Sequence, residues 1–273
     1  MADVIDYVWS FSDFMRYAAR IEYDGTAFCG WQRQEHSPSV QENVEKALSK
    51  VANHTIDVVC AGRTDTGVHG VGQIIHFDSD AERTLRSWVM GGNSNLPKSI
   101  SIVWLKPVND DFHARFSALS RSYRYVICNR EVRPSFLAWR TTWEYRPLDV
   151  ERMQQAAQYL VGEHDFSSYR AVACQAKSPI RTLHRLEVSR QNEMVFIDVE
   201  ANAFLHHMVR NISGVLMTIG CGQQTPIWAS EVLQHRDRRL GGVTAHPSGL
   251  YFMSVKYPAE FEIPIVENSS LVW

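Results

Sequence analysis

Strand-like and helix-like stretches alternate along this chain, and the same order of elements occurs in both of its halves. In the first half, apolar residues at helical spacing follow Ser39, which forms with Glu42 the sequence pattern of a helix N-terminal cap. A second helix is predicted from Ala81 to Met90, because two consecutive glycines come next. The predicted strands of this half are 17–25, 55–62, 71–77 and 101–108.

The second half repeats this plan. One helix is predicted to begin at Asp149, where apolar residues follow at helical spacing from Met153 to Leu160, and another is predicted over 206–220. A turn is expected at Gln191 and Asn192. The pattern favours an α+β fold with two related subdomains, each a mostly antiparallel sheet flanked by helices. The predicted strands of this half are 122–129, 182–190, 194–202 and 249–257.

The boundary between the two units is expected between residues 110 and 120. The prediction is a leader over 1–15, an N-terminal subdomain over 16–112, a C-terminal subdomain over 113–258 and a tail over 259–273. The formal net charge of −2 does not by itself indicate a nucleic-acid binder. Between Phe112 and Arg185, however, there are twelve Arg or Lys and six Asp or Glu. The middle of the chain is therefore basic, and acidic residues near the two ends offset its charge in the total.

Cysteine usage and apolar runs indicate a cytoplasmic protein. The five cysteines are scattered and include no CxxC pair, which argues against a disulfide framework and a thiolate zinc site and fits a reducing compartment. No stretch approaches the roughly 20 apolar residues of a membrane helix. We therefore expect no membrane association.

The polar segment AGRTDTGVHG, residues 61–70, is the strongest candidate for a site. Two predicted strands flank it, and loops held on a rigid frame are where reactive residues concentrate. Its glycines permit unusual backbone angles and close approach by a ligand. Asp65 is the candidate reactive carboxylate, although a carboxylate that caps backbone amides in a turn would have the same sequence.

Two further interpretations of Asp65 compete. Asp-Thr-Gly is the signature of aspartic proteases, whose chemistry needs two carboxylates that share a proton. No second such triplet occurs in this chain, so a homodimer would have to supply it. A metal site formed by Asp65, His69, His76 and His113 is the other alternative, but no characteristic ligand spacing supports it.

Five motifs occur in order along the chain: GRTDTGVH, DDFHARFSA, RSYRY, HHMVRNISG and PSGL. Together they resemble the tRNA pseudouridine synthase A family, and the likeness extends from Arg16 to Tyr257. The resemblance implies the pseudouridine synthase fold and a cofactor-free, metal-free isomerase. It implies that uridine is converted to pseudouridine at positions 38, 39 and 40 of the tRNA anticodon stem-loop. It also implies a homodimer.

The same resemblance assigns roles to five residues of this sequence. Asp65 resembles the catalytic aspartate, and Tyr123 resembles the aromatic residue that stacks on the target base. Arg210 resembles the basic partner of the aspartate, Arg63 the arginine that pushes the base from its stack, and Leu250 an apolar pocket wall. The alternatives are a core aromatic for Tyr123, a surface arginine for Arg210 and ordinary packing for Leu250.

The implied reaction suits these residue types. It breaks the bond between ribose C1′ and base N1, turns the base and joins C5 to the same carbon, so it needs neither a redox cofactor nor a metal. An ionised carboxylate can act as a nucleophile, and a nearby guanidinium keeps it charged when RNA excludes water. The base must first flip out of the RNA. The order of bond-making steps, the preferred tRNAs and a non-catalytic RNA-binding module as an alternative stay open.

Overall fold

A computed structural model describes residues 14–265. Within them lie ten β-strands and five α-helices. The strands are β1 (Met15–Tyr23), β2 (Val59–Cys60), β3 (His69–Ser79), β4 (Ile100–Pro107), β5 (Ser120–Asn129), β6 (Thr142–Glu144), β7 (Gly162–Asp165), β8 (Ile180–Gln191), β9 (Met194–Ala201) and β10 (Leu250–Lys256). The helices are α1 (Val40–Ala52), α2 (Leu85–Asn95), α3 (Val150–Gln158), α4 (Met208–Gly220) and α5 (Trp228–His235).

All ten of these strands belong to one sheet. Its main path runs β4-β1-β3-β10-β5-β9-β8-β7, with β2 paired to β3 and β6 paired to β5. Only the β3–β10 and β5–β6 pairs are parallel within the described residues, so the mostly antiparallel α+β fold is confirmed. The strands of the two predicted subdomains are nevertheless continuous with each other across this sheet.

The last strand, β10, forms the junction between the two halves. It lies between β3 of the first half and β5 of the second, although it comes at the end of the described chain. Its contact with β3 is short, with Tyr251 opposite His69 and Phe252 opposite Gly70. Because His69 and Gly70 close the 61–70 segment, the junction lies directly beside the candidate reactive loop.

Two large hydrophobic clusters and a smaller third one lie among the described residues. The helices α1 and α2 cover the first-half strands, while α3, α4 and α5 pack against the second-half strands. A few first-half residues, including Ala61 and Val68, belong to the second cluster, so the cores meet near the junction. The boundaries of the two subdomains stay a prediction. Large buried members of the first cluster are Leu48, Phe77 and Trp88, and of the second Met153, Ile197, Ile212 and Leu216.

The predicted helix caps at Ser39 and Asp149 are confirmed. The Ser39 hydroxyl accepts a hydrogen bond from the Glu42 amide at 3.3 Å and caps α1 as expected. The prediction for α2 was wrong at both ends, because Thr84 caps the helix and it continues through both glycines. A Cβ on Gly92 would lie 2.5 Å from the Ile102 side chain, so glycine here serves close packing of the helix on β4.

Several other elements differ from expectation. Of the strand predicted over 55–62, only Val59–Cys60 pairs with a neighbour, and β6, β7 and α5 were not predicted. Most of the leader and the end of the tail lie outside the described residues. The start of the tail packs on the body, since the Phe261 ring lies 5.2 Å from that of Phe112. No helix within residues 14–265 combines the length and apolar character needed to span a membrane.

Truncation of Phe252 tests the junction. This side chain is fully buried on β10 and its ring packs edge-on against Tyr123 at 4.9 Å. We expect Phe252→Ala to lower the free energy of unfolding by about 3–5 kcal/mol, because it leaves a cavity in the core. Urea denaturation measures this loss. Val103→Ala, at a 40% exposed position on β4, is the control and should change stability by less than about 0.5 kcal/mol.

Candidate active site

The loop that carries Asp65 is held by backbone hydrogen bonds to an earlier segment of the chain. The Trp31 amide donates to the Thr64 carbonyl at 3.0 Å, and the Gly67 amide donates to the Phe28 carbonyl at 3.3 Å. Within the loop, the Val68 amide donates to the Asp65 carbonyl at 3.1 Å. These bonds fix the backbone on both sides of Asp65 before any substrate binds.

Two glycines of the earlier segment allow it to approach the loop this closely. A Cβ on Gly25 would lie 1.9 Å from the Val68 carbonyl oxygen, and one on Gly30 would lie 2.6 Å from the Thr64 carbonyl oxygen. Gly30 also has φ +90°, a backbone conformation that residues with a side chain rarely adopt. The AFCGWQRQ stretch of the sequence therefore serves as a scaffold for the Asp65 loop.

Three cationic or titratable groups surround the Asp65 carboxylate. Arg210 Nη1 lies 3.3 Å from Oδ2, His207 Nε2 lies 3.4 Å from Oδ2, and His206 Nε2 lies 3.3 Å from Oδ1. The Asp65 side chain is 23% exposed and that of Arg210 is 14% exposed. The structure thus brings Asp65 and Arg210 together, 145 residues apart in sequence, as the resemblance implied.

The start of α4 places these partners. His207 precedes the helix with φ 62°, a left-handed conformation that is costly for a residue with a side chain. Arg210 lies in the first turn and its Nε donates to the Ala245 carbonyl at 2.8 Å, which leaves Nη1 directed at Asp65. Burial lowers the pKa of His207, while the Asp65 carboxylate acts to raise it. Sequence reasoning singled out only Arg210, although the HHMVRN motif contained both histidines.

Tyr123 and Leu250 lie on the two strands that meet at the junction. Tyr123 on β5 is only 9% exposed, and the rings of Phe204 and Phe252 pack edge-on against it, each at 4.9 Å. Burial raises the pKa of the Tyr123 phenol. Leu250 is buried at the start of β10, one residue before Tyr251, which pairs with His69. Both positions are compatible with a pocket wall and equally with core packing.

Arg63 is an exposed side chain of the Asp65 loop. Across residues 14–265, its guanidinium has no carboxylate within salt-bridge distance. Its positive charge acts on the Cys60 thiol, whose pKa burial raises to about 12 and Arg63 lowers. The guanidinium is therefore available to a ligand at the mouth of the site.

The metal site suggested by sequence is not assembled. His69 Nδ1 accepts a hydrogen bond from the Gly25 amide at 3.1 Å, and His76 Nδ1 accepts one from the Ala114 amide at 3.1 Å. In both imidazoles, Nδ1 is therefore already used by a backbone amide. Within the described part of the chain, the group with metal-ligand spacing is instead Asp65 with His206 and His207. The Arg210 guanidinium on the same carboxylate would repel a cation there.

The surroundings of Asp65 also differ from those of an aspartic protease. That mechanism requires a second carboxylate that shares a proton with the first. The groups within 3.4 Å of Asp65 are two imidazoles and a guanidinium. Among the described residues, the Asp65 carboxylate therefore has a guanidinium and two imidazoles as its partners rather than a second carboxylate.

The sequence matches the family model described as tRNA pseudouridine synthase over residues 19–117 and 156–258. The chain is 59% identical over 250 residues to tRNA pseudouridine synthase A of Alcanivorax borkumensis, covering 91% of this chain and 94% of the relative. It is 58% identical over 250 residues to that of Pseudomonas aeruginosa, with 91% and 88% covered. It is 55% identical over 259 residues to that of Nitrosococcus oceani, with 95% and 100% covered.

The chain therefore belongs to the tRNA pseudouridine synthase family, a family of isomerases. The resemblance drawn from the five sequence motifs is confirmed. The aspartic protease interpretation was wrong, because a match of this length and identity leaves the Asp-Thr-Gly triplet as part of the family's GRTDTGVH motif.

Substitution of Gly30 tests the scaffold of the Asp65 loop. We expect Gly30→Ala to lower kcat/KM by about 10- to 100-fold, because a shift of the loop by an ångström misplaces the carboxylate. Single-turnover pseudouridine formation measures the loss. Gly222→Ala is the matched control, since Gly222 has a similar φ of +80° but nothing within 4 Å of the place that an added methyl group would take. An equal loss in both variants would show that backbone strain, and not loop position, is responsible.

Proposed function

We propose that this protein converts uridine to pseudouridine at positions 38, 39 and 40 of the tRNA anticodon stem-loop, with Asp65 as the catalytic carboxylate. The observation that carries the proposal is the Asp65–Arg210 pair, in which the oxygen-to-nitrogen distance is 3.3 Å, within a member of this family. The relatives named above are each called tRNA pseudouridine synthase A, which supports tRNA as the substrate.

The charge arrangement supports a carboxylate that stays ionised under bound RNA. Closing RNA over Asp65 removes water, which disfavours a negative charge, and a guanidinium in contact offsets that cost. Arg210 is itself tied to the Ala245 carbonyl, so it holds its position without the substrate. A fixed positive group of this kind costs no reorganisation when the carboxylate reacts.

The remaining assigned residues are proposed to handle the base. Arg63, exposed beside Asp65, is in position to push the target uridine out of the stem. A flipped base costs a few kcal/mol, and stacking on an aromatic face returns about 1–3 kcal/mol. Tyr123 is proposed to supply that face with its small exposed part, and Leu250 the apolar wall that retains the base while it turns.

The basic middle of the chain supports RNA binding. Of its arginines, Arg124 and Arg130 form ion pairs with Asp198 and Glu193, and Arg121 donates to backbone carbonyls. Arg115 and Arg133 are exposed. The exposed charges that have no such partner are the ones proposed to contact phosphates.

We also propose that the protein acts as a homodimer in the cytoplasm. The support for the dimer is the family resemblance, which implies a homodimer whose two subunits share each tRNA. Localisation is supported by the five cysteines, all of which are free in the structure. We propose that the protein does not associate with membranes.

Asp65→Asn tests the assignment of the catalytic carboxylate. Purified wild-type protein should form pseudouridine at positions 38–40 of unmodified tRNA, as read by sequencing after chemical labelling. Asp65→Asn should lower the rate more than about a thousandfold, as expected when an essential catalytic group is lost, and should leave tRNA affinity within about threefold. The control is Asp57→Asn, at a 79% exposed carboxylate. Substantial turnover by pure Asp65→Asn would remove this residue from the chemistry, and turnover at other positions would overturn the site of modification.

Arg210→Lys tests the contact to Asp65. Lysine keeps the charge but carries its donors on one nitrogen, so it cannot reproduce the fixed geometry in which Arg210 Nε contacts the Ala245 carbonyl and Nη1 contacts the Asp65 carboxylate. We expect kcat to fall about tenfold in Arg210→Lys and further in Arg210→Ala, with unfolding midpoints recorded in parallel. A wild-type kcat in Arg210→Ala would exclude Arg210 from the site.

A further inference from the structure

Phe116 has an aromatic side chain that is largely exposed to solvent. It lies in the link between β4 and β5 and is 76% exposed. A single exposed apolar residue is ordinary and needs no explanation. What sets Phe116 apart is the rigidity of the turn that presents it, which we call the 113–117 turn.

Hydrogen bonds inside the 113–117 turn fix its backbone. His113 Nδ1 accepts from the amides of both Arg115 and Phe116, each at 3.1 Å. The Ser117 amide donates to the His113 carbonyl at 2.9 Å, and the His113 amide donates to the Ser117 hydroxyl at 3.0 Å. The imidazole therefore acts as an internal brace that closes the turn around Phe116.

Three bonds from other elements anchor the turn to the fold. The Ala114 amide donates to His76 on β3, and the Tyr257 hydroxyl donates to the Ala114 carbonyl at 2.6 Å. Arg121 Nη2 on β5 donates to the Arg115 carbonyl at 2.5 Å. An exposed loop anchored at this many points loses little conformational freedom when a ligand binds to it.

The ring of Phe116 is supported on one side. The His113 ring lies 4.3 Å from it at an interplanar angle of 28°, so the two rings are stacked. The Arg115 guanidinium lies 5.6 Å from the ring centroid. Most of the phenyl surface remains in solvent, beside a positive charge.

The turn lies next to the Asp65 loop. The Arg121 guanidinium that holds the Arg115 carbonyl also donates to the Ala61 carbonyl at 3.2 Å, four residues before Asp65. One guanidinium therefore bonds both the turn and the Asp65 loop, and each of these segments carries an exposed arginine, Arg115 in the turn and Arg63 in the loop.

We propose that the Phe116 ring, backed by His113 and flanked by Arg115, is a stacking platform for a tRNA nucleobase adjacent to the target uridine. The proposal rests on the proposed function, since a base that flips out leaves its neighbours without a stacking partner. An aromatic ring accepts any base on its face, and the flanking arginines bind phosphates. A rigid ring at the rim of the site thus receives the neighbouring base while Asp65 takes the target.

Phe116→Leu tests the platform. Leucine keeps apolar surface but has no aromatic face, so we expect the dissociation constant for an anticodon stem-loop RNA to rise about tenfold, as loss of one stacked base predicts. Phe116→Trp should bind within about twofold of wild type. The dependence of affinity on salt should be unchanged in both variants, because no phosphate contact is lost. Met90→Ala, at a 53% exposed apolar position on α2, is the control and should bind as wild type.

A thermodynamic cycle identifies the partner base. Single abasic sites are placed at each nucleotide flanking the target, and binding is measured with wild type and Phe116→Leu. One abasic site should weaken binding to wild type but not to Phe116→Leu. Independent effects at every flanking position, or unchanged affinity in Phe116→Leu, would overturn the platform. These results do not depend on turnover, so failure of wild type to form pseudouridine would reject the proposed function separately.

Discussion

Tyr251 and Phe252 of β10 pair with His69 and Gly70, directly after the loop that carries Asp65. This short parallel contact joins strands from both halves of the chain into one sheet. The α4 helix packs on the same second-half core as β10, so the contact also sets where Arg210 lies relative to Asp65. The carboxylate and its partners therefore lie beside strands of the same sheet.

The groups around Asp65 are positioned by bonds that do not involve the substrate. The Asp65 loop is held by backbone bonds to Phe28 and Trp31 and by close approach of Gly30, and Arg210 is held by the Ala245 carbonyl. A site of this kind presents fixed charges to the reacting atoms, which is the main electrostatic advantage that an enzyme has over water. The 113–117 turn repeats the principle at the rim, where an imidazole braces an exposed ring.

Much of the fold was accessible from periodicity and local chemistry. The α1 cap at Ser39, the α3 cap at Asp149 and most long strands were predicted, because caps and alternation depend on neighbours in sequence. The failure at α2 has the opposite cause. Glycine is typical of a helix end, but here glycine lies inside the helix, where it allows close packing against Ile102. The strands β6 and β7 are only three and four residues long, too short to show an alternating pattern in the sequence.

The sequence by itself determined the chemistry that is present, namely a carboxylate on a glycine-bearing loop, an arginine in HMVRN and motifs that identify the family. Only the tertiary structure decided which groups meet. It placed His206 and His207 on the Asp65 carboxylate, assigned His69 and His76 to backbone amides, and buried most of Tyr123. The physical reason is distance along the chain: contacts between residues that are tens of positions apart, or more than a hundred in the case of Asp65 and its partners, depend on strand order, which no local pattern encodes.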